Sequence, residues 1–201
     1  MHLLKNSEVQ SDLRRLKTLV TLQMGKRSDY ERVERDFYPT PWQAVEPLVP
    51  HLPKNFAFAE PCAGDGALVR HIETLIDGAW CSWSSDIEPQ AQSIVTRHFR
   101  ELDEDDFEEA EYIITNPPWD RKLLHPMIEY FTAYKPTWLL FDADWMHTKQ
   151  SVEFLPLLKK VVSIGRVQWI PDSKSTGKDN CCWYLFSRGD SQPTQFIGRK
   201  A

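Results

Sequence analysis

The chain has 201 residues, 41% of them apolar, and a net charge of −5, which suits one domain with its own core and excludes a disordered protein. No run approaches the roughly 18 apolar residues of a membrane span, and an N-terminus carrying Lys5, Glu8 and Asp12 lacks a signal-peptide apolar region, so a cytoplasmic protein is expected. The acidic balance argues against a phosphate-rich partner, but eight acids and no base fall between Glu101 and Glu111, and with those set aside the other residues carry +3.

Along the chain, Val9, Leu13, Leu16, Leu19, Val20 and Met24 recur near helical spacing, which predicts a helical extension over 1–35 ahead of a main domain over 36–201. Thr40, Pro41 and Gln43 form a capping-box pattern with Thr40 as N-cap, and Pro47 keeps the helix that follows short or kinked. Strands are then predicted at 56–59, 80–85, 112–115 and 137–141, alternating with helices at 67–75, 90–99, 123–134 and 152–160. Runs at 161–170 and 181–187, separated by a polar loop with Ser173, Gly177 and Asn180, read as an antiparallel hairpin. The expected fold is α/β, a mostly parallel sheet with helices on both faces and a C-terminal antiparallel hairpin. Such a fold binds ligands at the carboxyl ends of its strands.

Between the first strand and its helix lies Glu60-Pro61-Cys62-Ala63-Gly64-Asp65-Gly66, where glycines let the backbone turn and approach a ligand closely. Glu60 and Asp65 would repel a pyrophosphate, so a cationic ligand is preferred. Asp86, twenty residues beyond Gly66, ends the second strand, where a carboxylate can accept from two ribose hydroxyls or serve as a turn residue ahead of Pro89. Cys62, Cys81, Cys181 and Cys182 show no metal-ligand spacing and read as buried thiols, so no metal is expected.

The most informative stretch is Asn116-Pro117-Pro118-Trp119, directly after the apolar run Tyr112-Ile113-Ile114-Thr115. Asn-Pro-Pro on its own is ordinary turn chemistry. At the carboxyl end of a buried strand it becomes a grip for a planar amine. The Asn116 side-chain oxygen and the Pro117 carbonyl are acceptors on a stiff frame, and Trp119 offers a stacking face of the kind that contributes about 1 to 3 kcal/mol per base. Trp183 and Tyr184 read more readily as core packing than as base contacts.

Tyr38-Pro39-Thr40-Pro41, Glu60-Pro61-Cys62-Ala63-Gly64-Asp65-Gly66, Asp86-Ile87-Glu88-Pro89 and Asn116-Pro117-Pro118-Trp119 resemble, in order, the motifs of class I S-adenosylmethionine-dependent amino-methyltransferases, above all phage-type DNA adenine N6-methyltransferases. The resemblance implies a Rossmann-like fold, with 36–201 as the catalytic domain and S-adenosyl-L-methionine as cofactor. Thr40, beside Tyr38, would hold the cofactor carboxylate, the loop from Glu60 and Pro61 through Cys62, Ala63 and Gly64 to Gly66 its methionine part, Asp86 the ribose, and Ile87 the adenine ring. Asp106 and Phe107 resemble the acidic-aromatic pair that holds the cofactor adenine. Asn116, Pro117, Pro118 and Trp119 would receive the target base. The implied partner is DNA, with the base flipped out of a duplex or taken from a single strand. Methylation of cytosine, an RNA base or a protein glutamine stays open, as does a non-catalytic nucleic-acid-binding subunit. Sequence-specific members of the family usually carry a large target-recognition domain. Only 189–201 follow the hairpin, so specificity is expected to be short, weak or supplied by a partner protein.

Overall fold

A computed structural model describes residues 37–170, 176–189 and 192–199. The helix predicted within 1–35 lies outside these residues. The described elements run α1 (Trp42–Val45), a 3-10 segment (Glu46–His51), β1 (Ala57–Glu60), α2 (Ala67–Leu75), β2 (Trp80–Asp86), β3 (Val95–Thr96), β4 (Tyr112–Thr115), α3 (Arg121–Tyr134), β5 (Thr137–Asp142), β6 (Leu158–Arg166), β7 (Asn180–Phe186) and β8 (Gln195–Ile197), with further short 3-10 turns between them.

The strands form one sheet in the order β3-β2-β1-β4-β5-β7-β6-β8. Pairing is parallel from β3 through β5 and between β6 and β8. It is antiparallel where β7 lies between β5 and β6. The chain leaves β1 outward through β2 and β3, then returns to the other side of β1 as β4. The crevice above β1 and β4 is therefore the topological switch point, where open α/β sheets bind their ligands.

Alternation along the central strands covers both faces. On β5, Trp138 and Leu140 join a core with Ala44, Phe58, Leu68, Ile72 and Trp183, whereas Leu139 and Phe141 join the opposite one with Ile128, Phe131, Trp145 and Tyr184. Trp183 and Tyr184 are fully buried. The Trp183 indole donates to the Ala44 carbonyl at 2.7 Å, and the Tyr184 ring stacks on Phe141 with centroids 4.2 Å apart. Both are core residues, as the sequence favoured.

Three expectations need correction. The helix expected over 90–99 is instead a turn, the two-residue β3 and a 3-10 turn (Phe99–Glu101), because the β-branched run Ile94-Val95-Thr96 packs better in a sheet than in a helix. The helix expected over 152–160 is a 3-10 turn (Leu155–Leu157) that opens into β6. Pro156 has no N–H to continue a helix, and from Leu158 onward the chain pairs with β7. Thr40 does not cap α1. The N-cap is Pro41, no side chain caps it, and the helix is a single turn of four residues before Pro47 tightens it.

Candidate functional site

The carboxyl ends of β1, β2, β3 and β4 converge on a cavity of about 550 Å³, within the range that encloses a nucleoside-sized ligand. Its wall includes Tyr38, Thr40, Pro61, Cys62, Ala63, Gly64, Asp86, Ile87, Asn116 and Pro118 among the residues singled out in the sequence. Glu60, Gly66, Pro117, Trp119, Asp106 and Phe107 are not part of that wall.

The loop after β1 is built by its glycines. Gly64 and Gly66 have φ of +54° and +78°, in the left-handed region that other L-residues avoid. A Cβ on Gly64 would stand 2.7 Å from the Phe37 ring, which closes over it. The Asp86 carboxylate ties this loop to the end of β2, Oδ2 accepting from the Gly64 amide at 2.9 Å and Oδ1 from the Glu88 amide at 2.8 Å. Each oxygen keeps a second lone pair. Asp86 is thus both a turn residue and a candidate hydroxyl acceptor, the two uses open from sequence.

Glu60 sits beneath the loop, 1% exposed. The Val69 amide, in the first turn of α2, hydrogen-bonds its carboxyl, while Oε2 has no partner among the described residues. Burial, then the charges of Asp86 and Asp65, push its pKa well above the ordinary carboxyl range. An acid raised on folding favours the native state while protonated, and that contribution is lost as pH climbs from the ordinary range through the folded value. Glu60→Gln should therefore raise the melting temperature more at pH 8 than at pH 5. Thermal melts at both pH values check this, and an equal change at both would refute it.

β3 directs the chain into the far end of the cavity. Because β3 is a parallel strand, the residues that follow it, Arg97, His98 and Phe99, reach the cavity wall together with Leu123 and Met127 of α3. Asp106 and Phe107 do not. Asp106 is turned to Arg97, with Nη2 at 3.1 Å, and accepts from the Asp103 amide. Phe107 is fully buried against Phe131 and Tyr134. Leu123 and Met127 were not singled out in the sequence, although their i, i+4 spacing directly after Trp119 was the available signal.

Four carboxylates, Asp65, Asp86, Glu88 and Asp120, line the cavity against one guanidinium, Arg97, itself paired with Asp106. Such a wall disfavours phosphates and accommodates a cation. Among the described residues, no group of three or more His, Cys, Asp and Glu side chains is placed to hold a metal ion.

At the end of β4, the Asn116 amide is held at both ends. Its Nδ2 donates to Thr40 Oγ1 at 3.2 Å, and its Oδ1 accepts from the Trp119 indole at 3.3 Å. The indole can only donate, which fixes the amide orientation. Trp119 leans on Trp169 (centroids 5.7 Å apart, 83° between planes), and Trp169 in turn on Tyr38 at 6.5 Å. Trp169 comes from the loop between β6 and β7 and was not anticipated from the sequence. Gly177, whose amide donates to the Val167 carbonyl at 2.7 Å, packs against its ring.

No protein-family model and no curated sequence matches the chain. Among solved structures, it is similar to the modification subunit assigned to a type I restriction enzyme from Vibrio vulnificus, with TM-score 0.52, 13% identity, and coverage of 100% of this chain and 54% of that one. It is also similar to the type IIG restriction endonuclease BpuSI, with TM-score 0.52, 14% identity, and coverage of 82% and 26%. A third similar structure is a protein from Pyrococcus horikoshii assigned as an RNA methyltransferase, with TM-score 0.49, 19% identity, and coverage of 84% and 95%. The chain spans about half of the first protein and a quarter of the second. The fold is α/β and Rossmann-like, a mostly parallel sheet with the C-terminal antiparallel hairpin formed by β6 and β7. Among the described residues, no helix is long and apolar enough to cross a membrane.

Proposed function

We propose that the chain is an S-adenosylmethionine-dependent methyltransferase acting on the exocyclic amine of adenine in DNA, with 36–201 as its catalytic domain. The observation that carries this reading is the Asn116 amide on the cavity wall at the end of β4, its acceptor oxygen held, among the described residues, by a long indole hydrogen bond.

The residues present fit that cofactor. The cavity has the right size, its excess of carboxylates suits a sulfonium and an ammonium, and Gly64 and Gly66 leave room where side chains would intrude. Asp86 would accept from the ribose with its remaining lone pairs, and Ile87, 55% exposed, would pack on the adenine with Phe99 nearby. Asp106 and Phe107 would act indirectly, by holding Arg97 and the α3 core. When bound, the cofactor supplies an electrophilic methyl on a positively charged sulfur.

Adenine's amine is a poor nucleophile because its lone pair is delocalised into the ring. Accepting its hydrogens at Asn116 Oδ1 and a neighbouring carbonyl such as that of Pro117 favours a tetrahedral nitrogen and aims the lone pair at the methyl. The rate then comes from proximity and electrostatic positioning, and no strong base is needed before transfer because the methylated cation loses its proton readily. Similar solved structures include a modification subunit of a restriction enzyme and a component of a type I restriction-modification assembly. Those descriptions favour a nucleic-acid acceptor, with target recognition supplied by a partner protein.

Incubation with isotopically labelled cofactor and, separately, DNA, RNA or cell protein tests the proposal. N6-methyladenine in the DNA digest, found by mass spectrometry, is the expected result. Label confined to protein, or in cytosine alone, would overturn it.

A further inference from the structure

Where an acid followed by an aromatic was expected at 106–107, the wall beyond β3 is formed instead by His98 and Phe99. His98 is fixed by a reciprocal cap. Its Nδ1 accepts from the Arg100 amide at 3.2 Å, and its own amide donates to Glu101 Oε2 at 3.0 Å. A backbone amide can only donate, so Nδ1 offers its lone pair and the ring hydrogen of the neutral imidazole sits on Nε2. That N–H meets no acceptor among the described residues. The ring also rests on Phe99, with centroids 4.7 Å apart, and Phe99 is buried. The other side chains on this part of the wall are accepting carboxylates, Asp86 and Glu88, or donors with partners of their own. Gln90 Nε2 donates to the Glu88 carbonyl at 2.9 Å, and the Arg97 guanidinium is turned to Asp106 and to the Glu101 carbonyl.

We infer that His98 is a specificity-determining residue of the cofactor site, its Nε2–H donating to a ring nitrogen of the cofactor's purine. This rests on the reading of the cavity as an S-adenosylmethionine site. The sense of recognition is then the reverse of what an acid provides. A carboxylate at this place would accept from the exocyclic amine of the purine, whereas the capped imidazole requires a bare ring nitrogen in the ligand. A ligand with C–H in place of that nitrogen would leave the N–H facing a group that cannot accept, and a site built to hydrogen-bond its ligand discriminates against such a mismatch. The cap makes this donor dependable, because turning the ring over to present the other nitrogen would cost the bond from the Arg100 amide.

The test is titration calorimetry of the full chain with S-adenosylhomocysteine and its 1-deaza, 3-deaza and 7-deaza analogues, on the wild type and on His98→Ser. Serine is a good cap whose hydroxyl can accept in place of Nδ1, but it is too short to replace Nε2. One of the three analogues should bind the wild type about two- to tenfold more weakly than the parent, the usual worth of one neutral hydrogen bond. His98→Ser should lose that same factor toward the parent and show no further loss with that analogue. Equal binding of all four ligands by the wild type would overturn the inference. So would a deaza penalty that persists in His98→Ser, which would leave His98 as a cap alone even if the variant bound every ligand more weakly. Failure of the wild type to bind S-adenosylhomocysteine at all would overturn the cofactor reading itself, whereas binding without a deaza penalty removes only the role of His98.

Discussion

Asn116→Ala is expected to lower methyl transfer by about 10²- to 10³-fold, the usual cost of removing one preorganised hydrogen-bonding group from a transition state, and to leave cofactor affinity nearly unchanged. Asn116 lines the cavity, but its two hydrogen bonds go to Thr40 and Trp119 and none to the glycine loop. Losing it leaves the Gly64 bond to Asp86 in place. Asn116→Asp separates the two halves of the amide. It retains acceptor oxygens, and the Thr40 hydroxyl can rotate to donate where it formerly accepted, so this variant should keep more activity than the alanine variant. Titration calorimetry with S-adenosylmethionine and methyl incorporation under single-turnover conditions give the two quantities separately. A parallel loss of binding and transfer in Asn116→Ala would show that the residue belongs to the cofactor site instead.

The parts of the site legible in the sequence are those whose signals are local. The glycine loop follows β1 because backbone that must reverse direction and approach a ligand needs residues without a Cβ, and both Gly64 and Gly66 adopt positive φ. Asn116 could be placed because a four-residue apolar strand with two prolines behind it has few ways to continue. What escaped depended on distant partners. An acid followed by an aromatic fits both 106–107 and a solvated acidic run. The short strand β3, which leads into the far wall of the cavity, is defined by its pairing with Ser85 and Asp86 of β2.

The same distinction explains Trp119 and Thr40. A tryptophan after Asn-Pro-Pro suggests a free stacking face, yet its orientation is set by Trp169, fifty residues later in the chain, and by the Asn116 oxygen. Thr40 has the sequence context of a helix cap, but its hydroxyl accepts from Asn116, seventy-six residues away. β8, whose three residues pair, among the described strands, with β6, carries no periodic signal of its own. The ends of the strands that line the cavity are marked by local pattern. Such pattern does not determine which way the side chains there turn, because tertiary contacts decide that.

Asp86→Ala should have the opposite profile to Asn116→Ala, a loss of cofactor affinity of at least about tenfold, given roughly 1.5 to 3 kcal/mol for each hydrogen bond to a charged group. The carboxylate holds the Gly64 and Glu88 amides at once, so its removal leaves two donors without their acceptor and frees the loop that must lie along the ligand. Asp86→Asn keeps one acceptor oxygen but turns an NH₂ toward the other amide, and should fall between the wild type and the alanine variant. Because the proposed role is in shaping the loop and accepting from ribose hydroxyls, S-adenosylhomocysteine, which lacks the sulfonium charge, should lose affinity by the same factor as S-adenosylmethionine. Transfer by Asp86→Ala should recover at saturating cofactor, whereas transfer by Asn116→Ala should not. A loss confined to the charged ligand would mean that Asp86 acts as a counter-charge to the sulfonium, and normal binding of both ligands would remove it from the site altogether.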